Sequence, residues 1–214
     1  MSVGLDEVCA VLLAAGEGAR LGGPKALLEL EWRGARRPLL SAHAEVLAEL
    51  GVRRVVGVVS ASVHERLLGC RDPALPRLIV SREPVSDGPA GSLRAALGSG
   101  HLGAPWLALS PVDVHPLAHR ALAELVAQIG AHDAATPVHG GRGGHPVLIR
   151  ASVLASMSGA SSLRDVLTAL GPRRTKVFVS EPLVLTDFDL ASEFADVFQR
   201  SPSFVGRPDD PNEP

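Results

Sequence analysis

Residues 12–30, LLAAGEGARLGGPKALLEL, place two cationic side chains around a glycine-rich turn. Glycines let backbone N–H groups approach phosphate oxygens closely. Arg20 offers a planar fork of donors and Lys25 a flexible point charge, and the two together suit a polyphosphate. This pattern predicts a phosphate-binding loop, and the alternative is a plain strand-to-helix turn with both cations in solvent.

Two other phosphate-binding loops fit this stretch poorly. A dinucleotide-binding loop needs the pattern G-x-G-x-x-G, and the run from Gly16 to Gly22 is one residue too long for it. A Walker A loop needs a hydroxyl after its lysine to hold magnesium, whereas Ala26 follows Lys25. The loop therefore belongs to neither of these classes.

Asp113 is the carboxylate whose position in the sequence most clearly indicates a functional role. It is the only one between Asp87 and Glu124, and it closes the apolar run 106–113. A carboxylate at the end of a buried strand is costly unless it is paired or bound to metal. The alternative is an N-cap for the helix that begins near Pro116.

The elements that must position these residues alternate along the chain. Strands are predicted at 8–14, 52–60, 77–81, 106–113 and 175–181, with strand-like segments at 133–139 and 145–154 around a glycine-rich turn. Helices are predicted at 38–51, 62–69, 90–100, 116–130, 162–171 and 190–200. The alternation predicts a Rossmann-like three-layer α/β/α fold with a mostly parallel central sheet. Ligands of such sheets bind at the carboxyl ends of strands, so residues 14–25 and 110–116 are expected to contain the binding site.

Length and composition bound the organisation of the chain. Its 214 residues suit a single domain over 1–200, followed by a proline-rich tail, 201–214, that is predicted to be disordered. A net charge of -2 without a long basic run argues against nucleic acid as a partner. The absence of a long apolar stretch argues against a membrane span. With two cysteines and no recognisable signal peptide, the sequence predicts a cytoplasmic protein.

The stretch LAAGEGARLGGPKALLEL resembles the L-A-A-G-x-G-x-R-x-G-x-x-K loop of nucleotidyltransferases. Within them it is most similar to the molybdenum cofactor cytidylyltransferases and guanylyltransferases. The resemblance implies the nucleotide-diphospho-sugar transferase, GT-A-like type of α/β fold. It also implies that Arg20 and Lys25 are catalytic together with Asp113, and that the triphosphate is bound by Leu13, Ala14, Ala15, Gly16, Gly18, Arg20 and Lys25.

A second segment, GPAGSLRAAL at 88–97, resembles the family's G-x-x-x-S-[LI] contact with the nucleotide base. The resemblance implies base contacts by Gly88, Gly91 and Ser92, although Ser92 is equally suited to cap the following helix. The preceding stretch, VSREP at 80–84, lacks the asparagine that is usual in the family. The choice of base is therefore open, with CTP or GTP favoured.

Two further segments resemble the metal-binding parts of the family. LALSPVDVHPL at 107–117 is similar to the segment whose aspartate, here Asp113, binds magnesium. VLTDFDLASEFADV stands where relatives carry D-I-D-T-P-E-D, and it implies a second Mg²⁺ ligand at Asp187 or Asp189. Only one of these two side chains is expected to reach the metal. Asp189 is slightly favoured.

GGRGGHPVLIR at 140–150 resembles the G-H-P-V-L-F segment of the cofactor-transferring branch, which implies acceptor contacts by Arg142, Gly144 and His145. The implied reaction is nucleotidyl transfer from an NTP to a phosphorylated acceptor, most favourably molybdopterin, with a molybdoenzyme or cofactor-insertion chaperone as a further partner. Two alternatives stay open. One is another acceptor, such as a phosphosugar, phospholactate or polyol phosphate. The other is a non-catalytic chaperone that binds a nucleotide or cofactor.

Overall fold

The computed structural model describes residues 3–82, 88–156 and 162–206. The strands are β1 Val8–Leu13, β2 Glu29–Trp32, β3 Ala35–Pro38, β4 Arg54–Val59, β5 Arg77–Val80, β6 Trp106–Pro111, β7 Ala134–His139, β8 Arg142–Gly143, β9 Val147–Arg150 and β10 Arg174–Phe178. The helices are α1 Leu39–Glu49, α2 Ala61–Gly69, α3 Gly88–Gly98, α4 Ala121–Gln128, α5 Ala151–Ser156, α6 Leu163–Leu170 and α7 Ala191–Phe198.

The main sheet has the strand order β10-β7-β9-β6-β1-β4-β5, and β8 pairs with β7. Strand β1 lies between β4 and β6 and is parallel to both. Strand β9 is antiparallel to its neighbours β6 and β7, because the chain reverses after β7 through Gly140 and Gly141, both at positive φ. The remaining pairs along this order, β4 with β5 and β7 with β10, are parallel. The predicted α/β fold with a mostly parallel sheet is confirmed.

Strand β1 shows how the sheet separates two apolar layers. Val8, Ala10 and Leu12 belong to one buried cluster, whereas Cys9 and Val11 belong to the other. This alternation follows from the two-residue period of a strand, which sends successive side chains to opposite faces. Each face is covered by helices, as expected for three layers. Among the described residues, no helix is long and apolar enough to cross a membrane.

Several elements differ from the sequence-based prediction. The hairpin β2–β3 was not predicted. It turns at Arg33 and Gly34, both at positive φ, which is common in two-residue hairpin turns. The strand predicted over 145–154 ends at Arg150, and its last residues form α5 instead. The helix predicted over 116–130 begins with a 3₁₀ helix, Pro116–Arg120, before α4.

The prediction of a disordered tail does not hold for residues 201–206. Phe204 forms an antiparallel bridge with Leu28, and the Val205 amide donates to the Leu27 carbonyl at 2.8 Å. The segment is ordered because its apolar residues and backbone groups find partners elsewhere in the fold, which composition alone does not reveal. Residues 207–214 of the predicted tail lie outside the described residues.

Candidate active site

The glycine-rich loop begins where β1 ends and folds back on itself. The amide of Ala14 donates to the Val58 carbonyl at 2.8 Å, which anchors the start of the loop to β4. The amide of Gly23 donates to the Gly18 carbonyl at 3.2 Å. Gly18 has φ +59°, and a Cβ there would lie 2.1 Å from the Gly23 carbonyl oxygen. Position 18 therefore requires glycine for the loop to close.

Pro24 sets the direction in which Lys25 leaves this loop. It is extended and immediately precedes a short 3₁₀ helix, Lys25–Leu27. Ala26 and Leu27 of that turn are fully buried, so the turn is fixed against the core. The side chain of Lys25 is consequently held over the cleft, with only 13% of it exposed.

Asp113 follows β6 on the adjacent strand. The amide of Val112 donates to the Leu13 carbonyl at 3.1 Å, so the ends of β1 and β6 meet. The 3₁₀ helix that starts at Pro116 is capped by His115, whose Nδ1 accepts from the Leu117 amide at 3.1 Å. The N-cap alternative for Asp113 is therefore wrong, and its carboxylate faces the cleft.

A distant segment of the chain delivers Asp189 to the same place. Asp187 forms an antiparallel bridge with Val114, and the Phe188 amide donates to the Asp113 carbonyl at 3.0 Å. Phe188 is buried, whereas the Asp187 side chain is exposed and does not line the cleft. Asp189 is therefore the one that lines the cleft. Strand alternation does not account for this difference, because residues two apart on a strand share a face.

Four charged side chains meet at the mouth of the loop. Lys25 Nζ lies 2.7 Å from Asp113 Oδ2 and 2.5 Å from Asp189 Oδ1. Arg20 Nη2 lies 2.8 Å from Asp189 Oδ2, and the Arg20 side chain is 70% exposed. The two cations and two carboxylates predicted from the sequence are thus in direct contact.

These contacts fix the charge states of Lys25 and Asp189. Burial acts to lower the pKa of Lys25, but hydrogen bonds to Asp113 and Asp189 outweigh it and raise the pKa above its ordinary value. The hydrogen bond from Lys25 lowers the pKa of Asp189 against the effect of burial, with a further contribution from Arg20. Lys25 is therefore protonated and Asp189 ionised at neutral pH.

The cluster opens into a cleft of about 320 Å³. All the residues predicted to bind the nucleotide line it, except Gly91, which is buried within α3. Ser92 also lies inside α3, which starts at Gly88, so it is not the N-cap of that helix. The cleft is lined by Leu13, Ala14, Ala15, Gly16, Gly18, Ala19, Arg20, Lys25, Ser60, Ser81, Gly88, Pro89, Ser92, Pro111, Val112, Asp113 and Asp189.

Ser60 and Ser81 are cleft residues that the sequence reasoning missed. Each immediately follows a strand, β4 and β5 respectively, and these two strands are parallel neighbours. The carboxyl ends of parallel strands share one edge of the sheet, so the same rule that singled out residues 14–25 would have found them.

The residues predicted to bind the acceptor lie outside this cleft. Arg142 is exposed on β8. Gly144 packs so closely that a Cβ would lie 2.1 Å from the Val184 carbonyl oxygen, and the His145 amide donates to that oxygen at 3.0 Å. This glycine has a packing role. Burial lowers the pKa of His145, and the charge of Asp113, a hydrogen bond to the Leu109 backbone and the charge of Asp187 partly offset this effect.

The carboxylates of Asp113 and Asp189 fit a hard divalent cation. One oxygen from each converges on a single point, where the Lys25 ammonium now lies. Magnesium is commonly held by one or two carboxylates together with water and substrate phosphates. Within residues 3–82, 88–156 and 162–206, no group of three or more His, Cys, Asp or Glu side chains could hold a metal. Phosphate oxygens and water would have to complete such a site.

Solved structures share this fold across nearly the whole chain. A Mycobacterium sp. strain JC1 homologue of the M. tuberculosis protein Rv0371c superposes with a TM-score of 0.73 at 21% identity, covering 91% of this chain and 96% of that one. The manganese complex of Rv0371c from M. tuberculosis H37Rv has a TM-score of 0.62 at 19% identity, covering 90% and 98%. Molybdopterin-guanine dinucleotide biosynthesis protein A from Archaeoglobus fulgidus has a TM-score of 0.57 at 16% identity, covering 89% and 96%.

No curated protein sequence is significantly similar to the chain. A family model does match it, and that match runs from the middle of β1 to β10, through the glycine-rich loop and Asp113. Matching residues 10–175, it shows that the chain belongs to the family of the MobA-like NTP transferase domain, a family of nucleotidyltransferases.

Proposed function

We propose that this chain transfers a nucleoside monophosphate from CTP or GTP to a phosphorylated acceptor, with molybdopterin favoured, and releases pyrophosphate. One observation carries the proposal: Lys25, Asp113 and Asp189 meet beside a loop whose glycines leave backbone N–H groups accessible. A triphosphate needs both cationic donors and a divalent metal, and this edge of the sheet offers candidates for both.

The loop is assigned to the triphosphate. Backbone N–H groups of residues 15–18 hold the β- and γ-phosphates in this proposal, because the Ala14 amide is already bonded to the Val58 carbonyl. Arg20 neutralises the charge of the departing pyrophosphate, for which its long and largely exposed side chain has the necessary reach. Lys25 contacts the α-phosphate and the attacking group. Ser92, with Ser60 and Ser81, lines the part of the cleft assigned to the nucleoside.

Asp113 and Asp189 are proposed to hold Mg²⁺. When bound, the ion supplies positive charge to an oxygen of the α-phosphate. Lys25 must then leave at least one of its two carboxylate partners, which frees its ammonium group for the phosphate. Asp187 is not assigned to the metal because its side chain is exposed and does not line the cleft.

The reaction needs no general base. A phosphate oxygen of the acceptor forms a bond to the α-phosphorus, and the bond between that phosphorus and the β-phosphate oxygen breaks. The acceptor phosphate is largely ionised near neutral pH, so no proton has to be removed from it. The contribution of the protein is to position the two phosphates and to stabilise the charge of the leaving group.

The acceptor is proposed from the GHPVL segment, where Arg142 and His145 are the candidate contacts. One observation favours a second possibility, that the acceptor is another small phosphorylated molecule such as a phosphosugar or a polyol phosphate. Gly144 packs against the Val184 carbonyl, and Arg142 and His145 do not line the cleft. Gly144 therefore has a role in packing whichever acceptor is used.

Two measurements test the proposal. A thermal-shift panel of CTP, GTP, ATP and UTP with Mg²⁺ identifies the nucleotide, since a ligand at 100 times its Kd adds roughly 2.7 kcal/mol of stability. Pyrophosphate release is then measured with that nucleotide and molybdopterin, an inositol phosphate or a hexose phosphate. We expect release with molybdopterin. Pyrophosphate release only with a sugar phosphate or polyol phosphate would support the second possibility. Nucleotide binding without pyrophosphate release in the presence of any acceptor would indicate a protein that binds nucleotides without catalysis.

A further inference from the structure

Residues 200–206, here called the brace, run antiparallel to the segment that follows Lys25. The Glu29 amide donates to the Ser203 carbonyl at 2.8 Å, and the Val205 amide donates to the Leu27 carbonyl at 2.8 Å. A side chain of α2 adds a third bond, because Arg66 Nη2 donates to the Val205 carbonyl at 2.9 Å. The brace is therefore held by hydrogen bonds to the segment after Lys25 and to α2, although disorder is predicted for residues 201–206 from their sequence.

The aromatic ring of the brace lies directly against the glycine-rich loop. A Cβ on Gly23 would lie 3.0 to 3.2 Å from three ring atoms of Phe204, so ring and backbone are already in close contact. The amide of Gly23 closes the loop through its bond to the Gly18 carbonyl. Two residues later the chain reaches Lys25. Phe204 thus supports the loop from behind, at the point where it closes and just before its cation.

The chain segment that ends in the brace begins beside Asp189, where it is also fixed in place. Helix α7 begins two residues after Asp189. Phe194 and Phe198 of this helix each have ring centroids 5.5 Å from that of Phe188, which is buried next to Asp113. The chain from Asp189 to Phe204 therefore connects a carboxylate of the charged cluster with the loop that carries the partner cation.

We infer that Phe204 is a positioning residue for the glycine-rich loop, and that the brace holds residues 18–25 in the conformation that presents Lys25 and the loop amides to a triphosphate. The inference rests on the proposed function. A loop rich in glycine has many accessible conformations, and fixing one of them before the ligand arrives removes an entropic cost of binding. A bulky apolar side chain packed behind the loop restricts the conformation of the loop without entering the cleft.

Binding of inorganic tripolyphosphate with Mg²⁺ tests the inference without a base or an acceptor. We expect Phe204→Ala to weaken binding about 10-fold, because small displacements of phosphate-contacting groups are costly. Phe204→Leu, which keeps an apolar contact with Gly23, should bind within about 3-fold of the wild type. Phe178→Ala is the matched control, since Phe178 is 75% exposed on β10 and does not line the cleft. It should bind as the wild type does.

A double-mutant cycle with Gly23→Ala tests the contact itself. The added methyl group must displace the Phe204 ring, so Gly23→Ala alone should weaken binding. In the Phe204→Ala background there is room for it, and the double variant should bind no worse than Phe204→Ala. If the losses of affinity in the two single variants added up in the double variant, Phe204 would not act through its contact with Gly23.

Amide hydrogen exchange separates positioning from general destabilisation. In Phe204→Ala, exchange should rise within residues 18–25 and stay unchanged in α4. Equal tripolyphosphate affinity in the wild type and Phe204→Ala would overturn the inference, as would a uniform rise in exchange. A wild type that binds no tripolyphosphate would contradict the proposed function instead. If Phe204→Ala does not fold, the tripolyphosphate affinities of Gly23→Ala and Phe204→Leu test the inference instead. Wild-type affinity in Gly23→Ala would then overturn it.

Discussion

The Lys25 ammonium lies 2.7 Å from a carboxylate oxygen of Asp113, a residue 88 positions further along the chain. The pair is mostly buried, with 13% of the lysine side chain and 27% of the aspartate side chain exposed. Removing one member of such a pair leaves an uncompensated charge, so the two residues are expected to act as a unit. Their contact joins the glycine-rich loop to the end of β6, and it makes the charged cluster the natural target for mutation.

We expect Lys25→Ala to lower the rate of pyrophosphate release by roughly 10²–10³, the usual loss for one well-placed donor to developing charge. The sequence has one other lysine, Lys176, which is exposed on β10. Lys176→Ala therefore serves as a matched control and should keep wild-type turnover. Circular dichroism should show an intact fold for both. Wild-type turnover in Lys25→Ala would contradict the assignment.

The two neighbouring aspartates should behave differently. Asp189→Asn should lower turnover by about 10²-fold, because it removes a carboxylate from the charged cluster. Asp187→Asn should have little effect, since this side chain is exposed and does not line the cleft. Steady-state rates at saturating nucleotide and Mg²⁺ measure the difference. Equal losses in both variants would mean that Asp187 also contributes to the site.

Lys25 should compete with metal ions for Asp113 and Asp189. Its ammonium group occupies the point on which both carboxylates converge, so a cation entering the free protein must displace it. We expect Lys25→Met to bind Mn²⁺ about 10-fold more tightly than the wild type in the absence of nucleotide, because it leaves two neighbouring carboxylates unneutralised. Electron paramagnetic resonance of free Mn²⁺ measures this affinity. Unchanged or weaker binding in Lys25→Met would show that the metal does not use these carboxylates.

Two buried histidines lie beneath Asp113 and should make stability depend on pH. His43 Nε2 donates to the Val112 carbonyl at 3.1 Å, so its Nδ1 accepts from His119 Nε2 at 2.7 Å. Burial lowers the pKa of His43 to about 3 and that of His119 well below its ordinary value. Both imidazoles are therefore neutral in the folded protein at neutral pH.

Between the ordinary histidine pKa of 6.5 and the folded value of about 3, the unfolded chain binds a proton at His43 that the folded chain does not. The free energy of unfolding should consequently fall as the pH falls through this window, by about 1.4 kcal/mol per pH unit for each such histidine. Urea denaturation at several pH values measures the slope. His43→Gln, which keeps an amide donor for Val112, should reduce that slope, and an unchanged slope would contradict this account.

The sequence by itself determined the residues of the loop and the class of fold. The glycines, Arg20 and Lys25 are close in the chain, and strand and helix periodicities are local, so neither requires knowledge of distant contacts. Asp113 could be identified because it ends an apolar strand, and parallel strands place such ends at one edge. These features survive in the structure almost unchanged.

Tertiary structure decided which residues of the distant C-terminal segment join that loop. Asp189 lies 164 positions from Lys25 in the chain, and its selection over Asp187 depends on the pairing of residues 186–188 with the segment after β6. Likewise, Phe204 is ordered only because Leu27 and Glu29 offer backbone partners to its neighbours. The backbone groups of these segments bond to partners that lie far away in the chain. Such pairing produces no local pattern in the sequence, so it could not be predicted from the sequence.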